Sequence, residues 1–207
     1  HGKVVADLIR AVGDQVSGFV DADAAKLGRI VEPGGGRVTL GEAEFLRGLG
    51  EEGRLPSGIE AVAIAVGDNT RRLRCLAALG SLPVPSLVHP SATVSPSATI
   101  GRGTVVFAGA IINAAAVIGD AVIVNTGAIV EHDCRVGDGA HLSPRAVLGG
   151  AATVGSRSWI GAGATIIHLI DVGADTIVGA GAVVIRNVAD GVAVAGVPAK
   201  QIERQRE

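Results

Sequence analysis

The sequence predicts a mainly β chain: a parallel β-helix of hexapeptide repeats preceded by a small α/β (Rossmann-like) unit. Three observations predict it. From Val88 to Val184 every sixth residue is Val, Ile or Leu, seventeen positions without a slip. Only 2% of the residues are aromatic while 31 are glycine, which suits a narrow interior with repeated tight corners. Before about residue 85 the texture differs, with helical faces alternating with short apolar runs.

The front segment, residues 1–85, reads in order as follows. Gly2 to Val12 carries an apolar helical face at Val4, Val5, Leu8, Ile9 and Val12. Val16 to Val20 is a short strand with Asp21 and Asp23 in its exit loop, and Pro33-Gly34-Gly35-Gly36 is a turn. Gly41 to Leu49 is helical. Ala61 to Val66 is an apolar run of buried-strand length, and Gly67-Asp68-Asn69 follows it. Thr70 to Leu79 is a helix with arginines on its outer face. Leu82-Pro83-Val84-Pro85 makes a stiff junction, because proline fixes its own φ and restricts its neighbour. Alternating helices and strands of this kind build a small parallel sheet.

Residues 86–207 form the β-helix and a C-terminal tail. Four residues after each repeated aliphatic, 14 of 17 positions hold Ala, Ser, Thr or Cys; one residue after, 8 of 17 hold Gly. The aliphatic points inward, the small residue fits the corner, and glycine eases the turn. Three hexads close a coil, so residues 18 apart stack at a strand spacing of about 4.8 Å. Each inward aliphatic contributes roughly 1.5–3 kcal/mol when fully buried. Left-handedness follows from the hexapeptide class, as does association into a homotrimer.

Charge and composition exclude several functions. A net charge of −2 gives no electrostatic case for nucleic acid or an anionic membrane. No run of eighteen apolar residues and no signal peptide is visible, which points to the cytoplasm. Cys75 and Cys134 read as two thiols rather than one disulfide. The chain contains no Met and begins at His1, so its native start is expected upstream.

The β-helix interior is dry and aliphatic, so chemistry must sit outside it. Most outward residues are small or singly polar. The exception is Val130-Glu131-His132-Asp133-Cys134. Cys134 takes the small inward position, which leaves Glu131, His132 and Asp133 on the outer edge. A histidine between two carboxylates has a stabilised imidazolium and suits a general base. A solvated turn with incidental charge is the alternative. Adding 18 to Glu131 and His132 gives Gly149 and Gly150, a notch without side chains above the histidine; adding 18 again to Gly150 gives His168. His141 and Trp159 stack as a neighbouring outward column above Ile123. Imidazole, carboxylates, notch and aromatic wall are thus expected within a few coils. His89, before Pro90, reads as structural.

The chain resembles the bacterial hexapeptide-repeat sugar O-/N-acyltransferase family, the PglD- and NeuD-like enzymes with perosamine N-acetyltransferase. The resemblance covers nearly the whole chain. Its carriers are His1-Gly2-Lys3-Val4-Val5, the strand with Asp21, Ala65-Val66-Gly67-Asp68-Asn69, His89-Pro90 and Ser95-Pro96-Ser97-Ala98. In the β-helix they are Ile112-Asn113, Asn125-Thr126-Gly127, Glu131-His132-Asp133-Cys134, His141-Leu142-Ser143 and Gly196-Val197-Pro198-Ala199-Lys200. Relatives begin with a strand and a Gly-rich turn, of which His1 would be the last histidine.

The resemblance implies a nucleotide-sugar site in the front segment, at His1, Asp21, Gly67, Asn69 and Thr70, with the missing turn supplying a diphosphate cradle. It implies His132 as general base and Asp133 as its partner, with Glu131 and Asn125 in support. It implies acetyl-CoA as co-substrate, touching His141, Gly150, Ala162 and Ala180 along a groove between adjacent β-helices, so that active sites lie between subunits. No metal is expected. The reaction it implies is N-acetylation of a UDP- or GDP-linked amino-deoxy sugar for glycan or glycoprotein assembly, with an oxyanion held by a backbone N–H near Gly149-Gly150. O-acetylation of a sugar hydroxyl is the alternative in the same fold. A zinc carbonic anhydrase on this scaffold would need paired histidines five residues apart, whereas His132 and His141 are nine apart. A non-catalytic scaffold or sugar-binding protein is the remaining class. Ile167-His168-Leu169 departs from relatives, which place a Pro-containing turn there.

Overall fold

The computed structural model describes residues 1–31 and 38–203; the turn expected at Pro33–Gly36 lies outside them. The front segment holds α1 (Gly2–Ala11), β1 (Phe19–Asp21), β2 (Val38–Gly41), α2 (Glu42–Glu52) and α3 (Asn69–Ala78). Strands β1 and β2 pair in parallel, so the small parallel sheet has two strands among the described residues. The first strand starts later than its apolar run suggested, and Asp21 belongs to it rather than to the exit loop. No helix of the described residues is long and apolar enough to cross a membrane.

From β3 (Leu87–Val88) to β19 (Val183–Val184) the chain makes seventeen two-residue strands, one per hexad. They stack into three sheets, the three faces of a prism. The first face begins at Leu87–Val88, the second at Thr93–Val94 and the third at Thr99–Ile100. Within a face each strand pairs in parallel with the strand 18 residues on, as Val130 does with Leu148. The second residue of each strand points inward and forms one continuous core with the small corner residues, including Cys134. The chain ends in β20 (Ala193–Ala195), which extends the first face, and β21 (Lys200–Ile202), antiparallel to it.

The corners correct one reading. From Ile100 to Val178 the left-handed backbone conformation sits three residues past the inward aliphatic, not one. Every sixth residue from Gly103 to Gly181 has φ between +50° and +69°, and eight of these fourteen are not glycine. Such a residue costs about 1–2 kcal/mol in the left-handed region. Its N–H is tied to the coil before it, as Asp133 N–H is to Ala114 O at 3.0 Å and Ala151 N–H to His132 O at 2.8 Å. The glycine one residue past the aliphatic serves close approach instead. A Cβ on Gly137 would lie 2.6 Å from Ser156 N in the next coil.

Two further readings change in the front segment. Ala61–Val66 carries no strand pairing among the described residues. It nevertheless packs as a two-faced apolar segment. Ala63 and Ala65 join Val5, Leu8, Val105 and Ile123, while Val62, Ile64 and Val66 join Leu76, Leu79 and Ala121. Burial on both sides explains the apolar run without a sheet partner.

The second change concerns α3, where Arg71 and Arg74 are exposed but Arg72 is only 1% exposed. Its guanidinium donates to Ala121 O and Gly139 O at 2.7 Å each, and to Asn69 Oδ1 at 2.8 Å. It also reaches Val66 O, Gly67 O and Ala140 O at 3.0–3.3 Å. Arg72, Leu76 and Leu79 form one buried helical stripe, and the arginine faces inward because carbonyls from the β-helix and its own loop converge on it.

Arg72→Met leaves those carbonyls without their donor. We expect it to lower the unfolding free energy by about 3 kcal/mol, with Arg72→Lys recovering only part because an ammonium has fewer donors. Urea unfolding followed by Trp159 fluorescence checks this.

Candidate active site

The corner after the second face carries Glu131, His132 and Asp133. The left-handed φ of +61° at Asp133 folds its side chain back, so its Oδ2 sits 2.8 Å from His132 Nδ1. Both side chains remain 62% exposed. A carboxylate at Nδ1 keeps the neutral ring's proton there and leaves the Nε2 lone pair for a reacting group. Only one carboxylate does this. Glu131 turns the other way and accepts from Asn113 Nδ2 at 3.0 Å.

The glycine notch has a definite purpose. A Cβ on Gly150 would lie 2.7 Å from His132 Nε2, so the imidazole rests in the space that glycine leaves. Of the two N–H groups expected to be bare, Gly149 N–H is taken by Ile166 O at 2.8 Å. Gly150 N–H makes no hydrogen bond among the described residues, and the same holds for Ala162 N–H and Ala180 N–H. These three are among several corner donors that stay free; the N–H groups of Ala114, His132 and His168 have no partner among the described residues either.

His141 and Trp159 stand on the outer side of the first face, in register over Ile123. Their rings stack with planes 4° apart and centroids 5.7 Å apart. Trp159 Nε1–H donates to the buried Ser143 Oγ at 2.6 Å, which holds the indole although it is 50% exposed. Asn125 Nδ2 lies 3.2 Å from His141 Nε2 and donates to it. Burial first, and then the Arg72 charge, push the His141 pKa down to about 4. His141 is thus a neutral imidazole with its proton on Nδ1.

Two expected groupings separate in a single chain. Asn125 attends His141, not His132. The His141–Trp159 stack belongs to the first face, and His132 to the corner after the second. They share a height along the axis but not a side of the prism.

His1 meets Phe107 edge-on, with centroids 6.0 Å apart. Asp21 is held below the usual carboxylate range, first by the Asp23 N–H and then by Lys26, whose Nζ lies 3.1 Å from its oxygens, with desolvation opposing. Gly67 O accepts from Arg72, and Thr70 is exposed. The Asn69 side chain is already committed, donating to Arg157 O at 2.9 Å and Ser158 O at 3.3 Å while accepting from Arg72. It anchors the loop to the coil just before Trp159 and leaves only its backbone for a ligand. Sequence reasoning missed this Arg72–Asn69 tie; the buried stripe of Arg72, Leu76 and Leu79 was the available signal. Among the described residues no three His, Cys, Asp or Glu side chains converge as a metal site would require.

The chain matches two family models, the PglD N-terminal domain over residues 1–79 and the bacterial transferase hexapeptide (six repeats) over residues 115–150. Among solved structures it is similar to PerB from Caulobacter crescentus, crystallised with CoA and GDP-perosamine. The two are 41% identical with a TM-score of 0.85, over 98% of this chain and 93% of that one. It is similar to the acetyltransferase domain of PglB from Neisseria gonorrhoeae FA1090, at 40% identity and TM-score 0.84, over 98% and 95% of the two chains. WeeI from Acinetobacter baumannii AYE shares the fold at 24% identity and TM-score 0.65, over 97% and 94%. The chain matches none of the curated protein sequences.

Two outcomes test this geometry. Gly150→Ala should displace the His132 ring and break its bond to Asp133 with little change in Tm, which a crystal structure or imidazole 15N shifts of the variant would show. His141 links stability to pH. Its ordinary pKa is about 6.5, and in the folded chain it is about 4. The unfolded state therefore binds the extra proton between these values, and stability falls as pH falls through that window. At pH 5 the loss is at most about 2 kcal/mol. His141→Gln should remove that share of the difference between pH 7 and pH 5 in urea unfolding.

Proposed function

The chain belongs to the bacterial hexapeptide-repeat sugar acyltransferase family with a PglD-type N-terminal domain, and on that premise we propose that it N-acetylates a nucleotide-linked amino-deoxy sugar, with His132 as general base. It is an acyltransferase, and acetyl-CoA is its co-substrate. The observation that carries the proposal is the His132–Asp133 pair, with Nε2 exposed against Gly150. The similarity to a protein crystallised with CoA and GDP-perosamine favours GDP over UDP.

In the proposed reaction the sugar amine attacks the thioester carbonyl carbon. His132 Nε2 accepts the amine proton, and Asp133 stabilises the resulting imidazolium. The tetrahedral oxyanion takes the Gly150 N–H, a donor beside His132 that no coil contact uses. Collapse expels the CoA thiolate, which takes the proton from the His132 imidazolium to become the thiol and restores the base. The free N–H groups of Ala162 and Ala180 suit amide carbonyls of the pantetheine arm.

The faces support a trimer with sites between subunits. The outward column of the second face is Thr93, Ile111, Ile129, Val147, Thr165 and Val183, mostly aliphatic and without a partner in one chain. The third face instead presents Thr99, Val117, Arg135, Thr153 and Asp171. Leu87, Val105 and Ile123 of the first face are covered by the front segment. Three second faces turned toward a threefold axis bury the aliphatic column. That packing sets the corner after one subunit's second face beside the corner after its neighbour's first face. His132 and Gly150 then meet the neighbour's Asn125, Ala162 and Ala180, next to its His141 and Trp159. The grouping that one chain does not make is made by two.

His132→Ala should leave the assembly intact and cut kcat/KM by about 10²–10⁴. Steady-state assays with acetyl-CoA and GDP- or UDP-linked amino sugars, beside hydroxyl-only sugars, check this. Full activity in the variant removes His132 from the mechanism, and turnover of hydroxyl-only sugars alone makes the enzyme an O-acetyltransferase.

A further inference from the structure

The corner column that holds the proposed base continues past it. Successive coils place Ala114, His132, Gly150 and His168 one above another, because strands of the second face pair in strict register from Ile112 to Val184. Arg186 follows Val184 by two residues, as His168 follows Ile166, in a last corner shortened by two residues because Val172 pairs with Val188. Leu169 N–H bonded to Gly150 O at 3.0 Å confirms the stacking at His168. The column is polarised. Carboxylates sit at its lower end, at Glu131 and Asp133, and two basic side chains at its upper end.

Both basic side chains are exposed, and neither has a hydrogen-bond or ion-pair partner among the described residues. Nearby carboxylates are committed elsewhere. Asp171 accepts from Thr153 Oγ1 at 2.6 Å, and Asp190 from Ala174 N–H at 2.7 Å. Between base and arginine lie exposed aliphatics, Leu169 at 70% and Ile185 at 42%. An exposed leucine at a left-handed φ of +59° is costly unless something apolar covers it.

Dimensions identify the ligand. Coils rise by about 4.8 Å, so Arg186 stands about 14 Å above His132. The sulfur of CoA is separated from its nearer diphosphate phosphorus by about thirteen bonds, which extend to about 15 Å. A thioester at His132 therefore brings an extended arm's diphosphate level with Arg186, one coil above His168, with the branched aliphatic part of the arm passing Leu169 and Ile185. We propose that His168 and Arg186 form the subsite for the CoA diphosphate and set the direction in which CoA lies along the groove. The proposal rests on the acyl-CoA reading above. Arg186 offers a forked pair of donors to phosphate oxygens and His168 a single ring N–H. Reversing CoA about His132 would carry its diphosphate past Ala114 and Pro96, where the column offers no basic side chain.

The test compares the parent chain with Arg186→Ala and His168→Ala on three donors: acetyl-CoA, acetyl-dephospho-CoA and acetyl-pantetheine. The last has no diphosphate. Arg186→Ala should lower kcat/KM about tenfold with the first two donors and leave acetyl-pantetheine unaffected. His168→Ala should act in the same direction and less. The KM for the nucleotide sugar and the Tm should not move. Calorimetric CoA binding to parent and variants gives the same comparison without turnover. A parent chain that binds CoA but acetylates no amino sugar therefore overturns the proposed reaction and not this subsite. Equal losses with acetyl-pantetheine, or no loss with any donor, overturn the subsite. A penalty that vanishes with the dephospho donor assigns the pair to the 3′-phosphate instead, and that also overturns it.

Discussion

Every functional feature of this chain depends on the strict stacking of residues 18 apart. Each face of a coil contributes one inward aliphatic, and from Gly103 to Gly181 each corner contributes one left-handed residue. The coils then approach so closely that a Cβ on Gly161 would lie 2.5 Å from Ala180 N. That spacing leaves no freedom of register, since a slip of one residue would turn the core outward. It makes the corner a precise position for an outward side chain. Asp133 illustrates this, because the φ that the corner imposes also aims its carboxylate at His132.

The front segment is joined to this scaffold through a buried charge. Arg72 carries no carboxylate against its guanidinium; backbone carbonyls from the 66–67 loop and from the coils at 121 and 139–140 surround it, with Asn69 Oδ1. Desolvation pushes its pKa down to about 10, which still leaves it charged at neutral pH. Breaking such a cluster strands several acceptors at once, so the loop after Val66 is held firmly against the coils. The same charge helps keep His141 neutral. One arginine thereby links the proposed sugar loop to the face bearing the His141–Trp159 stack.

The proposed groove uses corners with free backbone donors. Where the third face turns, Asp120 and Asp138 cap the N–H groups of the coil before them. At Gly150, Ala162 and Ala180 no side chain does so, and the donors remain for a ligand. Asp138 and Ser156 on the third face also keep bare N–H groups, so the neighbouring side chains, not the bare donor alone, mark the proposed groove. The aliphatic column of the second face lies between the corners that carry these donors, so burying it in the proposed trimer would bring them together.

The hexad rule alone placed the seventeen inward aliphatics, put Cys134 in the core, and stacked His132 under Gly150 and His141 under Trp159. These are properties of a single repeating coil, where height and corner follow from position along the chain. What only the tertiary structure decided depends on residues that the repeat does not relate. Arg72 turned inward because carbonyls far along the sequence converge there. Glu131 left His132 because Asn113 stands beneath it. Asn125 went to His141 because both border the first face. The left-handed residue proved to lie three places past the aliphatic, since there the N–H ties to the preceding coil, while the glycine one place past serves the approach of the next. Periodicity encodes spacing, but the partner of a polar side chain is chosen by whatever donors and acceptors the finished fold leaves within reach.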